Sequence, residues 1–355
     1  MNAASSLAPV DPAEPSAEAR AEDALARLYA GESLDCEAAG HLFEALVEGR
    51  LPEPSIAAML IALRLKGETV DELTGAARAL RAADAPFERP DYLFADSCGT
   101  GGDGSGSINV STAAALAAAA AGLPVAKHGN RSVTSRCGSA DVLERLGAKL
   151  DASAEVSRRA LDETGFCFLF APKYHPGLRH AGPVRRALKV RTIMNLLGPC
   201  VNPAEPKVQL LGVSDPRRLE PIARTLVALG VERALVVHGA GLDEVALHAE
   251  TAAVRVRPGE IEAVTLTPEQ AGLVRRPASA LAGGGPEENA ERMKSLLMGF
   301  GHPAETEAVA INAGALLMTA GLAGDLREGT ERAMDALGSG EAYRRLTLFV
   351  EASHG

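Results

Sequence analysis

DSCGTGGDGSGS, residues 96–107, directly follows a short apolar run, Leu93 to Asp96, that predicts a β-strand. Its glycines allow successive backbone N–H groups to point into one concavity, which suits phosphate oxygens. Three of them, from Gly99 onward, also have the spacing of a dinucleotide fingerprint. That site is excluded because no helix opens within the loop and no acidic residue follows about 20 positions on. A Walker loop is excluded because Ser105 stands where its lysine belongs. The segment favours a phosphate cradle, with a plain surface turn as the alternative.

A second anion-binding feature follows the glycine loop. Asn109-Val110-Ser111-Thr112 leads into an alanine-rich helix, residues 113–121. Ser111 or Thr112 is a suitable N-cap, and a helix N-terminus offers N–H groups and partial positive charge to a phosphate. A cap without any ligand is the alternative. The position next to the glycine loop would bring both features to one place.

A basic turn, Lys127-His128-Gly129-Asn130-Arg131, follows the next predicted strand, Pro124 to Lys127. It continues through residues 132–135 to Ser139, which opens another helix. Ligands of open α/β sheets gather at the carboxyl ends of strands. Two cations, an imidazole and an amide within five residues can neutralise and orient a phosphate. A solvated basic turn is the alternative.

Adjacent carboxylates, Asp243 and Glu244, follow the predicted strand Ala234 to His238. Mg²⁺ commonly takes one or two protein carboxylates together with waters and substrate phosphates. The pair therefore indicates a magnesium site, with a solvated surface pair as the alternative.

The segment 170–203 carries several cations among prolines and glycines: His175, Arg179, Arg185, Arg186 and Arg191. An arginine that reached the cleft could bind a carboxylate in a bidentate manner. The other arginines would pack against solvent.

The fold class follows from two patterns of periodicity. Residues 19–83 have helical periodicity and predict a small bundle of four helices. From Asp91, apolar runs alternate with loops and helical stretches at intervals of about 30 to 40 residues, which predicts βαβ units and a mainly parallel sheet. Further strands are expected at 167–171 and 208–213, and a hairpin at 251–266. The chain is therefore α/β, with a small helical domain at the N-terminus and a larger α/β domain with a mainly parallel central sheet.

The composition limits the classes of binding partner and indicates the cellular compartment. The net charge of −10 over 355 residues disfavours broad contact with nucleic acid or anionic lipid. The five widely spaced cysteines predict neither a disulfide framework nor a zinc site, and a reducing cytoplasm fits best. The longest apolar stretch, 113–121, is too short for a membrane span. Residues 1–18 lack the features of a signal peptide and predict a disordered tail.

Taken in this order, seven motifs resemble those of the anthranilate phosphoribosyltransferases: GTGGDG, NVST, KHGNR, GSADVLE, FAPKYHP, NLLGP and GLDE. Enzymes of this family join anthranilate to phosphoribosyl pyrophosphate (PRPP) in tryptophan biosynthesis and release pyrophosphate. The resemblance implies a helical domain, 19–90, hinged to an α/β domain, 91–355, with part of 172–203 crossing back to the helical domain. It also implies a homodimer formed through the helical domain.

The resemblance also assigns site residues. The donor positions of the family fall on the glycine loop, the helix start and the basic turn: Gly99, Gly102, Asp103, Ser107, Asn109, Val110, Ser111, Thr112, Lys127, His128, Gly129, Asn130, Arg131, Ser132, Val133, Thr134, Ser135 and Ser139. The anthranilate positions fall on Gly99, Asn130, His175 and Arg185. Two Mg²⁺ ions are implied, one held by Ser111 and one by Asp243 and Glu244. No general acid or base is implied; Lys127 would stabilise the transition state and Arg185 would orient the acceptor.

Several residues depart from the family pattern. Lys189 stands where Gly is common, Met194 where Phe is common, Gly177 where Ala is common, and Ser107-Ile108 where Thr-Phe is common.

Two other classes of protein with a similar fold are alternative assignments. Pyrimidine nucleoside phosphorylases use free phosphate and a nucleoside, and need not carry the Asp243-Glu244 pair. Relatives of this fold without the magnesium carboxylates bind nucleic acid. The net charge of −10 and the intact GLDE motif disfavour that function for this chain.

Overall fold

The computed structural model describes residues 16–132 and 136–355. Most of the predicted tail, residues 1–15, lies outside these ranges, and so do the donor candidates Val133, Thr134 and Ser135. Residues 17 and 18, assigned to the tail by the sequence, already belong to the first helix. The four predicted N-terminal helices are present: α1 (Ala17–Tyr29), α2 (Cys36–Val47), α3 (Glu53–Lys66) and α4 (Val70–Ala82).

The turn between α3 and α4 follows from local chemistry. Gly67 ends α3 with φ 88°, a conformation that side chains disfavour. Thr69 and Glu72, which have the spacing of a capping box, exchange both of its hydrogen bonds. Glu72 is fully buried, and its carboxylate accepts hydrogen bonds from Lys66 Nζ and from the Leu34 N–H, both at 2.9 Å. One buried carboxylate therefore ties three segments of the bundle together.

The remainder of the chain contains a seven-stranded sheet in the order β3-β2-β1-β4-β5-β6-β7. The strands are β1 (Ala95–Gly99), β2 (Val125–Gly129), β3 (Phe166–Phe170), β4 (Val208–Gly212), β5 (Arg233–His238), β6 (Thr251–Arg257) and β7 (Glu260–Leu266). The first five pair in parallel, and the predicted hairpin adds β6 and β7 in antiparallel. Because Gly99 pairs with Gly212 and Gly129 with Phe170, the carboxyl ends of four strands lie at one edge.

The strands and helices differ from the predictions at their ends. β1 begins two residues later than expected and runs to Gly99, so the first four residues of the glycine-rich segment 96–107 belong to the sheet. After β7 the chain makes only a short turn. Thr267 and Gln270 exchange the capping hydrogen bonds, but Gly272, with φ 78°, ends the turn.

Helices cover both faces of the sheet. They are α5 (Val110–Ala120), α6 (Ser139–Arg145), α7 (Ala154–Thr164), α8 (Ala171–Tyr174), α9 (Gly182–Leu188), α10 (Ile193–Leu197), α11 (Leu219–Ala228), α12 (Pro286–Leu297), α13 (Pro303–Ala320), α14 (Leu326–Gly338) and α15 (Glu341–Ser353). Successive side chains of a strand point to opposite faces of the sheet, so the sheet separates two hydrophobic cores. Leu235 of β5 lies in the core around α5 and α13, whereas its neighbour Val236 lies in the core of the N-terminal helices.

The segment after β3 packs against the helical domain. Ala181, Val184, Ile193 and Leu197 lie in the same core as α1–α4. This segment therefore joins the helical domain to the edge of the sheet where the polar loops meet. Of the helices in the described part of the chain, none is both long and apolar enough to cross a membrane.

Candidate active site

The glycine loop leaves β1 at the carboxyl edge of the sheet. Gly101, Gly102 and Gly104 have φ values of 66°, 70° and 75°, which only glycine adopts readily. The Gly101 N–H donates to Asp243 Oδ2 at 2.6 Å. Within residues 16–132 and 136–355, the N–H groups of Gly102, Asp103 and Gly104 have no acceptor. They form an open set of donors for an anion.

Asp243 lies against the ends of β1 and β4. A Cβ atom on Gly99 would overlap the Asp243 carboxylate, and one on Gly212 would overlap the Asp243 backbone. These two glycines therefore allow the Asp243-Glu244 segment to approach the sheet edge. Glu244 reaches the start of α5, where its Oε1 accepts a hydrogen bond from the Ser111 N–H at 3.1 Å.

The two carboxyl groups are half-buried and repel one another. Burial, with the charge of Asp103, raises the pKa of Asp243 to about 7. Burial, with the charge of Asp243, raises the pKa of Glu244 to about 8. Among the described residues, no group of three or more His, Cys, Asp or Glu is arranged to hold a metal ion. A divalent cation would relieve the repulsion, but it would need oxygen ligands from a substrate or water, as Mg²⁺ usually does.

The start of α5 differs from the prediction. The N-cap position is Asn109, whose side chain makes no capping hydrogen bond, so neither Ser111 nor Thr112 is the cap. Asn109 instead donates from Nδ2 to the Cys137 carbonyl at 3.1 Å. The reason is tertiary: Glu244 supplies the hydrogen-bond acceptor at this helix end that a cap side chain would otherwise supply.

Lys127 is 2% exposed, and its ammonium points into the space between β1 and α5. Its Nζ donates to the Ser97 carbonyl at 2.5 Å and to Ser111 Oγ at 3.3 Å.

Arg131 behaves differently from the expectation of a phosphate ligand. Its guanidinium pairs with Glu144 at 2.7 Å and with Asp141 at 3.1 Å, so its charge is already compensated within the protein.

A cavity of about 300 Å³ brings the donor candidates together. Every predicted donor residue in the described ranges lines it, together with the metal candidates: Gly99, Gly102, Asp103, Ser107, Asn109, Val110, Ser111, Thr112, Lys127, His128, Gly129, Asn130, Arg131, Ser132, Ser139, Asp243 and Glu244. Arg191 also lines this cavity and was not predicted as a donor residue. It donates to the Gly102 carbonyl at 2.8 Å and to Ser214 Oγ at 2.7 Å.

An adjoining cavity of about 190 Å³ is lined by all four acceptor candidates, Gly99, Asn130, His175 and Arg185. Gly99 and Asn130 line both cavities, so the two spaces meet there. Burial lowers the pKa of Arg185, and no carboxylate in the described ranges pairs with it. A half-buried guanidinium without a protein anion is suited to a ligand carboxylate.

His175 has no ring nitrogen turned towards this cavity. Its Nδ1 contacts Asp84 Oδ1, and its Nε2 lies 3.0 Å from Nε2 of His128. His128 Nδ1 lies 3.2 Å from the Gly198 carbonyl oxygen. A polar contact between His175 and an acceptor is therefore not available in this arrangement. Asp84 was not predicted as a site residue, because nothing in the sequence between α4 and β1 marks it.

The departures from the family pattern have distinct positions. Met194 lines the acceptor cavity and is 4% exposed. Gly177 lies so close to Val47 of α2 that a Cβ atom would press on its backbone. Lys189 ends α9 with φ 52°, a left-handed conformation in which glycine is favoured.

Comparison with known proteins agrees with this architecture. Residues 22–83 match the model of the glycosyl transferase family, helical bundle domain, and residues 91–343 match that of the a/b domain of the same family. The anthranilate phosphoribosyltransferase of Sorangium cellulosum is 61% identical over 326 residues, which cover 92% of this chain and 94% of the relative.

Solved structures agree with this relationship. The crystal structure of anthranilate phosphoribosyltransferase from Thermus thermophilus has a TM-score of 0.90 and 46% identity, covering 94% of this chain and 100% of that one. The Saccharomyces cerevisiae enzyme, in complex with PRPP and Mg, has a TM-score of 0.87 and 25% identity, covering 95% and 98%. The helical bundle, the α/β domain and these relatives together show that the chain belongs to the anthranilate phosphoribosyltransferase family.

Proposed function

We propose that the two adjoining cavities carry out the reaction of the family, the transfer of a phosphoribosyl group from PRPP to the amine of anthranilate with release of pyrophosphate. The main observation in support of this assignment is that the two cavities lie side by side. A glycine loop with open N–H groups and half-buried carboxylates meets, at Gly99 and Asn130, a smaller pocket that contains an uncompensated arginine. The product serves tryptophan biosynthesis.

In the donor cavity, the open N–H groups of residues 102–104 and the ammonium of Lys127 bind diphosphate oxygens. Loss of pyrophosphate places negative charge on the leaving group. Donors that are already held in position stabilise that charge without reorganising. Lys127 is suited to this role because it is almost fully removed from water.

Mg²⁺ is the expected cofactor, and the two carboxyl groups fit it because their raised pKa values indicate too little positive charge in the protein to keep both ionised. We propose two ions, one bound through Ser111 and one through Asp243 and Glu244. Bound Mg²⁺ neutralises the diphosphate and stabilises the leaving group. Asp243 and Glu244 are themselves held in place by the Gly101 and Ser111 N–H groups.

In the acceptor cavity, Arg185 binds the carboxylate of anthranilate and Asn130 lies between acceptor and donor. An aromatic amine is neutral and nucleophilic at pH 7. The reaction therefore depends on the relative position of the two substrates more than on a strong base. Closure of the helical domain, 19–90, over the α/β domain, 91–355, would exclude water from the ribose.

The assembly and compartment are further parts of the proposal. The helical domain exposes two large apolar side chains, Tyr29 at 54% and Leu65 at 80%, which suits a homodimer formed through that domain. Light scattering would show a dimer; a monomer at all concentrations would contradict it. The five cysteines lie in the described ranges and none forms a disulfide, which suits the reducing cytoplasm.

The experiment that tests the activity is direct. The protein is incubated with anthranilate, PRPP and Mg²⁺, and the decrease in anthranilate fluorescence is followed. Parallel reactions omit Mg²⁺, or replace PRPP and anthranilate by phosphate and uridine. Mg²⁺-dependent loss of fluorescence is expected only in the complete mixture. No loss at micromolar enzyme, or turnover of uridine instead, would contradict the assignment.

A further inference from the structure

Three buried side chains form a continuous chain along one wall of the acceptor cavity. Asp84 contacts His175 Nδ1, His175 Nε2 contacts His128 Nε2, and His128 Nδ1 contacts the Gly198 carbonyl. His175 is 4% exposed and His128 is 6% exposed, so water does not complete their hydrogen bonding. Both histidines line the acceptor cavity, whereas Asp84 lies behind them.

The contacts determine how many protons this network holds. The Gly198 carbonyl only accepts, so His128 Nδ1 carries a proton. His128 Nε2 and His175 Nε2 then share one proton, and His175 Nδ1 and Asp84 Oδ1 share another. That makes three protons in all. Two neutral imidazoles hold only two, so the third belongs to the Asp84–His175 pair, as an imidazolium with a carboxylate or as a neutral pair.

Asp84 is therefore required for the contact between the two histidines near neutral pH. Without its negative charge, a network of three protons would be a buried, uncompensated cation, which is costly. If residue 84 could neither hold a negative charge nor donate a proton, either the two Nε2 atoms would meet as two lone pairs or His175 Nδ1 would have no partner. One of the rings would then turn.

The charged groups around the network are consistent with three protons in it. Burial and the charge of His175 hold the pKa of His128 well below its usual range, so this ring is neutral. Burial raises the pKa of Asp84, against the opposing hydrogen bond from His175. The other charged groups that face the network are Arg81, Glu205 and Lys127. Arg81 and Glu205 act on Asp84 with opposite signs.

We propose that Asp84 is a positioning residue for the acceptor site: it holds His175 and, through it, His128 in the orientation that shapes the wall of that cavity. The role in catalysis rests on the proposed function, since it concerns the binding of anthranilate. Asp84 lies between α4 and β1, so the contact also ties the connection between the helical and α/β regions to the acceptor pocket.

The test compares Asp84→Leu, which removes both the charge and the hydrogen bond at similar size, with Asp84→Glu, which retains them. Glu88→Gln is the matched control, because Glu88 is an exposed carboxylate of the same connection. Asp84→Leu is expected to raise the KM for anthranilate by about tenfold, as loss of a supporting hydrogen bond does in other sites. The KM for PRPP should rise by less, because His128 lines the donor cavity but His175 does not. Asp84→Glu should recover most of the effect. An equal rise in both KM values would overturn the proposal.

Ring-nitrogen NMR of the full-length protein provides a readout that a merely structural role would not move. In the wild type at pH 7.5, His128 should be neutral and protonated at Nδ1, with His175 protonated at Nε2; His128→Asn and His175→Asn assign the signals. Asp84→Leu should shift the ring-nitrogen signals of His175, because Nδ1 loses its partner. Unchanged ring signals would overturn the proposal. A wild-type His128 protonated at Nε2 would also overturn it, even if Asp84→Leu does not fold. A wild type that leaves anthranilate unconsumed would contradict the proposed function, whereas the ring signals would still test the network.

Discussion

Asp243 accepts a hydrogen bond from the backbone N–H of Gly101 at 2.6 Å, although the two residues are 142 positions apart. This bond joins the glycine loop to the carboxylate segment that follows β5. The donor-binding loop and the expected metal ligands are therefore one structure. A change at either side should be felt at the other.

Replacing Asp243 and Glu244 together by Ala should lower kcat/KM for PRPP by roughly 10² to 10³, because both the metal ligands and the support of the loop are lost. The variant should remain folded, since it also removes two mutually repelling half-buried carboxyl groups. A Mg²⁺ titration of turnover checks this, with the exposed Glu250→Gln as control. Unchanged turnover across the titration would contradict the metal assignment.

Gly102→Ala should impair PRPP binding more than Gly104→Ala. Both glycines have positive φ, so both substitutions carry a similar backbone penalty of about 1 kcal/mol. Only at Gly102 would the new Cβ atom collide with the Arg191 guanidinium; around Gly104 there is open space. The KM for PRPP of the two variants checks the difference, and equal values would mean that the contact with Arg191 does not support the loop.

Arg185→Ala should raise the KM for anthranilate by about 10- to 100-fold, which is the range expected for a lost charged hydrogen bond to a carboxylate. The KM for PRPP should change much less. Because Arg185 has no protein anion to leave behind, thermal stability should not fall. Its exposed neighbour supplies the control, Arg186→Ala. Equal effects of Arg185→Ala on both KM values would assign the arginine another role.

His128 should make the protein less stable in mild acid. Burial lowers its pKa in the folded state, so below about pH 6.5 the unfolded chain binds a proton that the folded chain does not. The free energy of unfolding should therefore fall as the pH falls, by at most about 1.4 kcal/mol per pH unit from this group. Asp84, with its raised pKa, contributes with the opposite sign. The difference between wild type and His128→Gln, measured by urea unfolding from pH 5 to 8, isolates the histidine. Parallel curves would contradict its neutral state.

Lys189→Gly should stabilise the protein by up to about 1 kcal/mol, because Lys189 ends α9 with φ 52°. The same substitution at Lys294, inside α12, should destabilise it by about 1 kcal/mol. Denaturant unfolding of the two variants checks the contrast. A loss of stability at both positions would mean that the lysine side chain contributes more than its backbone conformation costs.

Local features of the site could be predicted from the sequence because they depend on neighbouring residues. The φ values of the loop from Gly101 to Gly104 follow from glycine itself, and the capping box at Thr69 from its spacing to Glu72. The carboxyl ends of parallel strands meet at one edge, so loops that follow strands come together. For this reason the described donor candidates all line one cavity.

The tertiary structure decided which charges compensate each other. Arg131 pairs with Glu144 and Asp141, and Glu244, not a local cap, meets the start of α5. Asp84 reaches His175 across 91 positions. Such pairings depend on sheet register and helix packing, which bring distant residues within hydrogen-bond distance. The sequence alone determined the chemistry available at the sheet edge, whereas packing determined which groups remain open to the substrates.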